Sequence, residues 1–530
     1  MEYYFTNDDL NEIDSIKKIH VKYEKLKSNK DNVLSLYYAL IHLNKIDWAE
    51  ELILRACQDF NDRLWPFINY LYIVAIKEDY RESAKLSIQI IKAYKNFDQV
   101  RKNDQIVFIY HLINLAYENK HEAAISTYES LAARIEPYIR KIILSQKEFL
   151  PLSKEHFRDR IVALTQQKSD SPYVCQRYSE IPLTDFQFLR SRKILFILRD
   201  HTELRPGSRK SETHDIFSTS AEIEKINFKL FASDLLTHYH PLLNDNNDKK
   251  KEIIEGVKSE LSRLERLIDE WQPDYVYFDN CLGQDCLELV ECTYESIKKL
   301  KAKYGFKLIT FYMDSWTEIQ RMAMERMNSL TDVFHQTHVS ARATLKEGIE
   351  NKTFYFPYPY TEEIFYDASV EKDTFAGFIG SIFSTRMIWV KKMEHDKLDV
   401  HVRRSQQSAS EKLMSMRTYG QEISRYKVQL SFSARSINSY SVITSRVWEG
   451  ILARSLIMEE HSMETEDYLI PFAHYIPFQN YAQLKAYLGY LKEDPELITM
   501  VCDNALNFVK DNYSGRHFWQ GLMSLADGSD

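Results

Sequence analysis

The chain has 530 residues, 44% of them apolar and 28% charged, and a formal net charge of −8. That length calls for more than one domain, each with enough apolar side chains for a core. The negative balance excludes non-specific DNA or RNA binding as the main role, and 34 Tyr and 28 Phe against 13 Gly favour packed domains over flexible linkers or disorder.

The acidic start, MEYYFTNDDLNEIDSIKK, lacks an apolar h-region and does not read as a signal peptide. The longest apolar stretch, LWPFINYLYIVAI (64–76), is too short to span a bilayer and contains Pro66 and Asn69. Six Cys in a chain of this size do not suggest a disulfide framework. Cys281, Cys286 and Cys292 cluster, but their spacing matches no common zinc pattern, so free thiols in a reducing cytoplasm are expected.

Residues 1–150 read as all-helical. Apolar positions recur three and four apart over 33–45, 48–60, 82–94, 106–119 and 121–135, separated by short polar breaks. Helices of that length suggest antiparallel pairs in a TPR-like solenoid, although no clean repeat of about 34 residues is present. Residues 151–190 are polar, with Pro and Ser, and read as a connector holding one short helix.

The character then changes. SRKILFILRD (191–200), NFKLFASDLL (227–236), PDYVYFDN (273–280) and FKLITFYMDS (306–315) read as strands. Helices over 249–272 and 286–305 alternate with them, the second stopped by Gly305. That alternation predicts an α/β domain with a parallel sheet over 191–365, closed by the Pro357–Pro359 segment. A second α/β series fills 366–500. Strands are expected at 374–385, 396–405, 427–436 and 455–460, with a helix over 444–453. Two closing helices break at Pro495, the last segment being 501–530.

In open parallel sheets, ligands bind beyond the carboxyl ends of strands. GFIGSIFSTR (377–386) puts Gly380 and Ser381 at a strand exit, where a backbone N–H can approach a phosphate, with Arg386 as a fixed cation. Arg403 and Arg435 occupy the next two exits. NSYSVITSRVWEG (438–450) repeats the logic, offering Ser441 and Ser445 to a diphosphate. Arg446 and Glu449 share a helix face that must pack into a core. A carboxylate there is costly unless paired, either with Arg446 or with ligand hydroxyls. In the first α/β domain, RDHTELRPGSRKSETHD (199–215) reads as a long polar loop carrying Asp200, His201, His214 and Asp215, any of which could be a general base. Asp314, at another exit, reads as a helix N-cap or a cleft residue.

Three segments in this order, FKLITFYMDS…TFYFPYPYTEEIF (306–365), FAGFIGSIFSTRMIWV (375–390) and KVQLSFSARSINSYSVITSRVWEGILARSLIMEE (427–460), resemble the bacterial CgeB-like glycosyltransferases. The resemblance covers about 190–530, and YLIPFAHYIPFQNYAQLKAYL (468–488) extends it. It implies the GT-B fold, two Rossmann-like domains facing across a cleft, here preceded by the helical domain. It also implies a nucleotide-sugar donor on the C-terminal domain, an acceptor on the N-terminal one, and no catalytic metal or other cofactor. Carried over by position, Gly380, Ser381, Arg386 and Arg446 face phosphate and Glu449 holds the ribose. One departure stands out: many retaining GT-B enzymes carry a second Glu eight positions earlier, and here that position is Ser441.

The expected function is therefore transfer of a sugar from a nucleotide-sugar to a hydroxyl of a glycan or protein acceptor recruited by the helical domain, in the cytoplasm. Its rivals are a catalytically inactive nucleotide-sugar-binding scaffold and a GT-B sugar-nucleotide epimerase. No nucleic-acid partner and no transmembrane segment are expected. Basic residues near 205–210 and 403–404 leave room for peripheral contact with anionic lipid.

Overall fold

The computed structural model describes residues 16–42, 46–60, 65–77, 82, 86, 152–166, 171–198, 212–233, 236, 247–279, 287–312, 318–339, 342, 345, 347–380, 382, 385–404, 415–433, 442–479 and 481–528. Among the described residues, four helices come first: α1 (Ile16–Leu26), α2 (Lys30–His42), α3 (Ile46–Asp59) and α4 (Trp65–Ile76). Tyr23, Leu36, Tyr37, Leu52 and Ile53 form their buried seam. The helices expected at 106–119 and 121–135, and nearly all of the one at 82–94, lie outside the described residues.

The expected connector with one short helix is instead three packed helices: α5 (Lys154–Gln166), α6 (Tyr173–Ser179) and α7 (Phe186–Ser191). Its polar residues hid a few apolar anchors. Phe157 stacks on Tyr487 with ring centroids 4.6 Å apart. Val174 N–H donates to the carbonyl of Asp467 at 3.0 Å. Asp185 caps α7 by accepting from the N–H groups of Gln187 and Phe188.

The first sheet contains β1 (Lys193–Leu198), β2 (Asn227–Ala232), β3 (Tyr275–Asp279), β4 (Lys307–Phe311), β5 (Val333–Gln336) and β6 (Thr353–Tyr355). Its order is β2-β1-β3-β4-β5-β6, and every pairing is parallel. KILFIL and YVYFD are continuous apolar runs because helices cover both faces of the central strands. Helices α8 (Glu212–Ile223), α9 (Asn247–Trp271), α10 (Leu287–Tyr304) and α11 (Glu318–Met327) are the crossovers. Gly305, with φ +73°, ends α10 in a left-handed turn that side chains disfavour.

A short helix α12 (Glu347–Glu350) precedes β6, and α13 (Glu362–Phe365) follows the proline segment into the second domain. The second sheet holds β7 (Thr374–Gly380), β8 (Val400–Arg404), β9 (Tyr426–Ser431), β10 (Leu456–Glu460) and β11 (Ile476–Phe478). Its order is β11-β10-β9-β7-β8, again all parallel. Helices α14 (Thr385–His395), α15 (Met416–Ser424), α16 (Ser445–Leu452) and α17 (Met463–Glu466) interleave with these strands. The chain has two Rossmann-like parallel-sheet domains, as the alternation required. Helix α4 packs on α14, so the N-terminal helices rest on the second domain.

Three helices close the chain: α18 (Tyr481–Glu493), α19 (Pro495–Asn512) and α20 (Gly515–Asp527). A boundary at 501 would cut α19. The last helix leaves the second domain and lies across β4, β5 and β6 of the first. Trp519 is fully buried there, and its indole N–H donates to Ser220 Oγ at 3.0 Å. One apolar core therefore runs from β1 and β3 through α20 and α19 to Trp448 and Ile451 of α16. Among the described residues, no helix is long and apolar enough to cross a membrane.

Candidate functional site

Strand order reverses between β7 and β9 in the second sheet, because β8 lies to one side of β7 and β9 to the other. The crevice beyond their carboxyl ends is where a ligand fits in such a sheet. Two arginines converge on it. Arg386 on α14 is only 4% exposed, and its Nη2 donates to the carbonyl of Phe432, one residue beyond β9, at 3.3 Å. Arg446, at the start of α16, donates from Nε to the carbonyl of Ile379 at 2.7 Å. Its guanidinium carbon lies 5.2 Å from the centre of the Phe378 ring, a cation–π contact. A Cβ at residue 380 would sit 2.3 Å from Arg446 Nη2, so Gly380 is the residue that lets the guanidinium reach the exit of β7.

Arg446 therefore turns toward β7, and the internal Arg446–Glu449 pair that the helix spacing allowed is not its use. Glu449 has a different partner. It is 3% exposed, and its Oε2 accepts from the Tyr419 hydroxyl on α15. Tyr360, in the segment joining the two domains, is buried near Glu449. Burial, and then the charge of Glu449, raise the Tyr360 phenol well above its ordinary pKa, which keeps it protonated. Helix α16 thus carries a cation bound toward β7 and a carboxylate bound toward α15, while Val447, Trp448 and Ile451 are buried in the core.

The other expected residues divide. Asp200, His201, Ser381 and Ser441 lie outside the described residues, as do Asp314 and Arg435. His214 and Asp215 do not belong to a loop: they stand in the first turn of α8, which begins at Glu212. The polar run misled because helix starts favour polar and acidic residues as loops do. His214 Nδ1 is 3.5 Å from Asp215 Oδ1. Both follow the exit of β1, where the first sheet reverses order between β1 and β3. Arg403 is committed to an ion pair with Glu422, with Nη1 2.9 Å from Oε2.

Sequence reasoning missed the polar contacts between domains. Past β5, His338 Nδ1 lies 3.1 Å from Glu464 Oε2 on α17, and both are buried. The same carboxylate oxygen accepts the N–H of Ile443, two residues before α16, at 2.8 Å. Tyr468 donates its hydroxyl to the carbonyl of Thr337 at 2.9 Å. The segments leaving β5 and β10 therefore meet, and the two sheets turn carboxyl ends toward each other. His338 and Glu464 are 126 residues apart. No local pattern links them, which is why only the fold exposes the pair.

Glu459, on β10, was also missed. Full burial pushes its carboxyl up to about 8, and its Oε1 lies 3.3 Å from Ser431 Oγ. Among the described residues no group of three or more His, Cys, Asp or Glu is placed to hold a metal ion.

Fold and site together define a two-domain parallel α/β protein with two arginines at the switch point of its second sheet. No protein-family model matches the chain, and no curated protein matches its sequence. Among solved structures it is similar to Anabaena HepE in complex with UDP-glucose, at 10% identity and TM-score 0.39, over 63% of this chain and 98% of that one. It is also similar to sucrose-phosphate synthase from Thermosynechococcus elongatus, at 9% identity and TM-score 0.42, over 63% and 98%. A third is AviGT4, a glycosyltransferase of avilamycin A biosynthesis, at 10% identity and TM-score 0.39, over 63% and 97%.

Proposed function

We propose that the chain is a GT-B-type glycosyltransferase that moves a sugar from a nucleotide-sugar donor to a hydroxyl of a glycan or protein acceptor. One observation carries the reading: Arg386 and Arg446 approach the exits of β9 and β7, on either side of the switch point of the second sheet. Two buried or half-buried guanidinium groups there, planar forks of N–H donors, suit a diphosphate, which offers several charged oxygens. Gly380 gives the anion access to the strand exit, and Ser445 adds a hydroxyl at the helix start. In this reading Ser381 and Ser441 join them, and Glu449 accepts from the ribose hydroxyls.

In the reaction, an acceptor oxygen forms a bond to the anomeric carbon while the bond from that carbon to the diphosphate breaks. The electron pair leaves with the diphosphate, whose growing charge the arginines stabilise without a metal. The proton of the acceptor passes to a base. In the first domain His214 and Asp215 are the described candidates, and Asp200 and His201 belong to the same stretch. The helical domain, seated on the second domain, would recruit a protein or glycan acceptor in the cytoplasm.

A nucleotide-sugar-binding scaffold without turnover is the second reading, and it rests on Ser441, which stands where many retaining GT-B enzymes carry an acid. Thermal shift with UDP, GDP, CDP, ADP and their common sugars tests the binding that both readings share. A ligand at 100 times its Kd stabilises by about 2.7 kcal/mol. One nucleotide should stabilise the wild type clearly more than Arg446→Ala; if none stabilises the wild type, both readings fail. Release of that nucleotide from its sugar then separates enzyme from scaffold.

A further inference from the structure

Glu459 brings a fully buried carboxyl to the end of β10. Its Oε1 accepts from Ser431 Oγ, and that hydroxyl is 2.9 Å from Thr444 Oγ1, just before α16. Its Oε2 has no hydrogen-bond partner among the described residues. The hydroxyls of Ser462, Thr465 and Tyr475 share that condition: each residue is fully buried, and each oxygen lacks a partner there. Thr465 and Ser431 both favour the charged form of the Glu459 carboxyl, so Thr465 lies close to it without the alignment of a hydrogen bond. Ser462 opens the same turn, its carbonyl accepting the N–H of Thr465 at 3.2 Å. The Glu459 charge acts in turn on the Tyr475 phenol and raises it. The charges acting most strongly on Glu459 are two more acids, Glu460 and Glu464, and both oppose its ionisation. Those acids are engaged elsewhere: Glu460 accepts from the Trp389 indole at 3.2 Å, and Glu464 accepts the N–H of Ile443.

We infer that Glu459, with the hydroxyls of Ser431, Ser462 and Thr465, forms a seat for a monovalent metal cation, sodium or potassium, that ties the ends of β9 and β10 to α17. A buried oxygen without a partner costs free energy, and a buried carboxylate persists where a cation neutralises it. The donor set is oxygen only, which suits a hard cation and not a transition metal. One carboxylate supplies one negative charge, which balances a monovalent ion. Calcium sites collect several carboxylates, and magnesium keeps an octahedron made largely of water. Each hydroxyl can give a lone pair to the ion and turn its proton elsewhere. Binding exchanges the carboxyl proton for the ion: the O–H bond breaks, the proton leaves to solvent and the carboxylate keeps the electron pair. Without the ion the carboxyl keeps its proton. The seat uses neither Arg386 nor Arg446, so it stands or falls independently of nucleotide binding.

The test measures Tm of the full chain in potassium, sodium and choline chloride at equal ionic strength and about pH 8, where the carboxyl begins to release its proton unaided. General screening is the same in all three salts, so a difference between them reports a site. An alkali salt should raise Tm over choline by roughly 1–2 °C at about ten times the ion's Kd, and further with the logarithm of its concentration. The gain should disappear in Glu459→Gln, which keeps the shape of the protonated carboxyl, and shrink in Thr465→Val, which keeps the volume. Wild-type crystals soaked in thallium(I) should show an anomalous peak beside Glu459 Oε2, a readout that needs no variant to fold. Equal Tm in the three salts, or a gain kept in full by Glu459→Gln, would overturn the inference. So would an ordered water beside Oε2 with no anomalous peak. The salt that gives the larger gain names the ion.

Discussion

The two sheets share a design and use their interiors differently. In the first, polar groups between strands answer one another: Tyr277 Oη and His335 Nδ1 are 2.8 Å apart, and His335 Nε2 is 2.9 Å from the carbonyl of Phe356. Burial holds His335 down to about 3, so the ring is neutral across the physiological range. In the second, two guanidinium groups beside the switch point donate to backbone carbonyls, Arg386 to Phe432 and Arg446 to Ile379. A neutral, closed network favours stability. A pair of cations at a sheet's switch point favours an anionic ligand. Under the proposed function, the anion belongs to the second domain and proton transfer to the first.

The largest effect should come from the element that joins the two domains. Trp519→Ala opens a cavity under the first sheet, with an expected loss of about 3–5 kcal/mol in chemical denaturation. Since the same core continues to α16, unfolding should remain a single transition. Two separated transitions would show that the sheets are energetically independent. Next, Arg446→Ala should weaken nucleotide binding by roughly tenfold to a hundredfold in calorimetry. His214→Ala should leave that Kd within about twofold and lower turnover by roughly a hundredfold or more. If His214→Ala loses binding instead, the division between domains collapses.

A smaller effect tests the second sheet's interior. The Glu459 carboxyl is raised by burial from 4.5 to about 8, so the folded state holds a proton that the unfolded state releases. Its contribution is fully present below pH 4.5 and is lost as pH rises through about 8. Glu459→Gln should flatten the fall in stability between those values, read from denaturant midpoints at several pH values. An unchanged slope would mean that the carboxyl ionises without cost. The smallest effect belongs to the surface. Arg158 pairs with Asp494 to tie α5 to the start of α19. Arg158→Ala should cost under about 1 kcal/mol, and less in high salt.

The motifs at 377–386 and 438–450 were legible one by one. Glycine before a helix start, arginine in the helix's first turn, and a carboxylate three residues beyond Arg446 are local patterns with local physical reasons. Their partners were not legible. Arg446 reaches Ile379 across 67 residues, and Tyr419 reaches Glu449 across 30. Helix α15, which carries Tyr419, follows the strand expected at 396–405 in a stretch given no element. The connector misread similarly: only tertiary contact shows that Phe157 and Val174 are anchors.

By itself the sequence determined the alternation of strand and helix, and hence two parallel sheets, because unbroken apolar runs between amphipathic helices have few other stable arrangements. It also determined which residue types crowd the strand exits of the second domain. The tertiary structure decided which of those residues face each other. It sent Arg446 to Gly380 rather than to Glu449, and gave Glu449 to Tyr419. It joined His338 to Glu464 and returned α20 to the first sheet. Those choices depend on strand order and on how the two domains meet. Both are set by burying distant apolar faces together, and no local pattern encodes them.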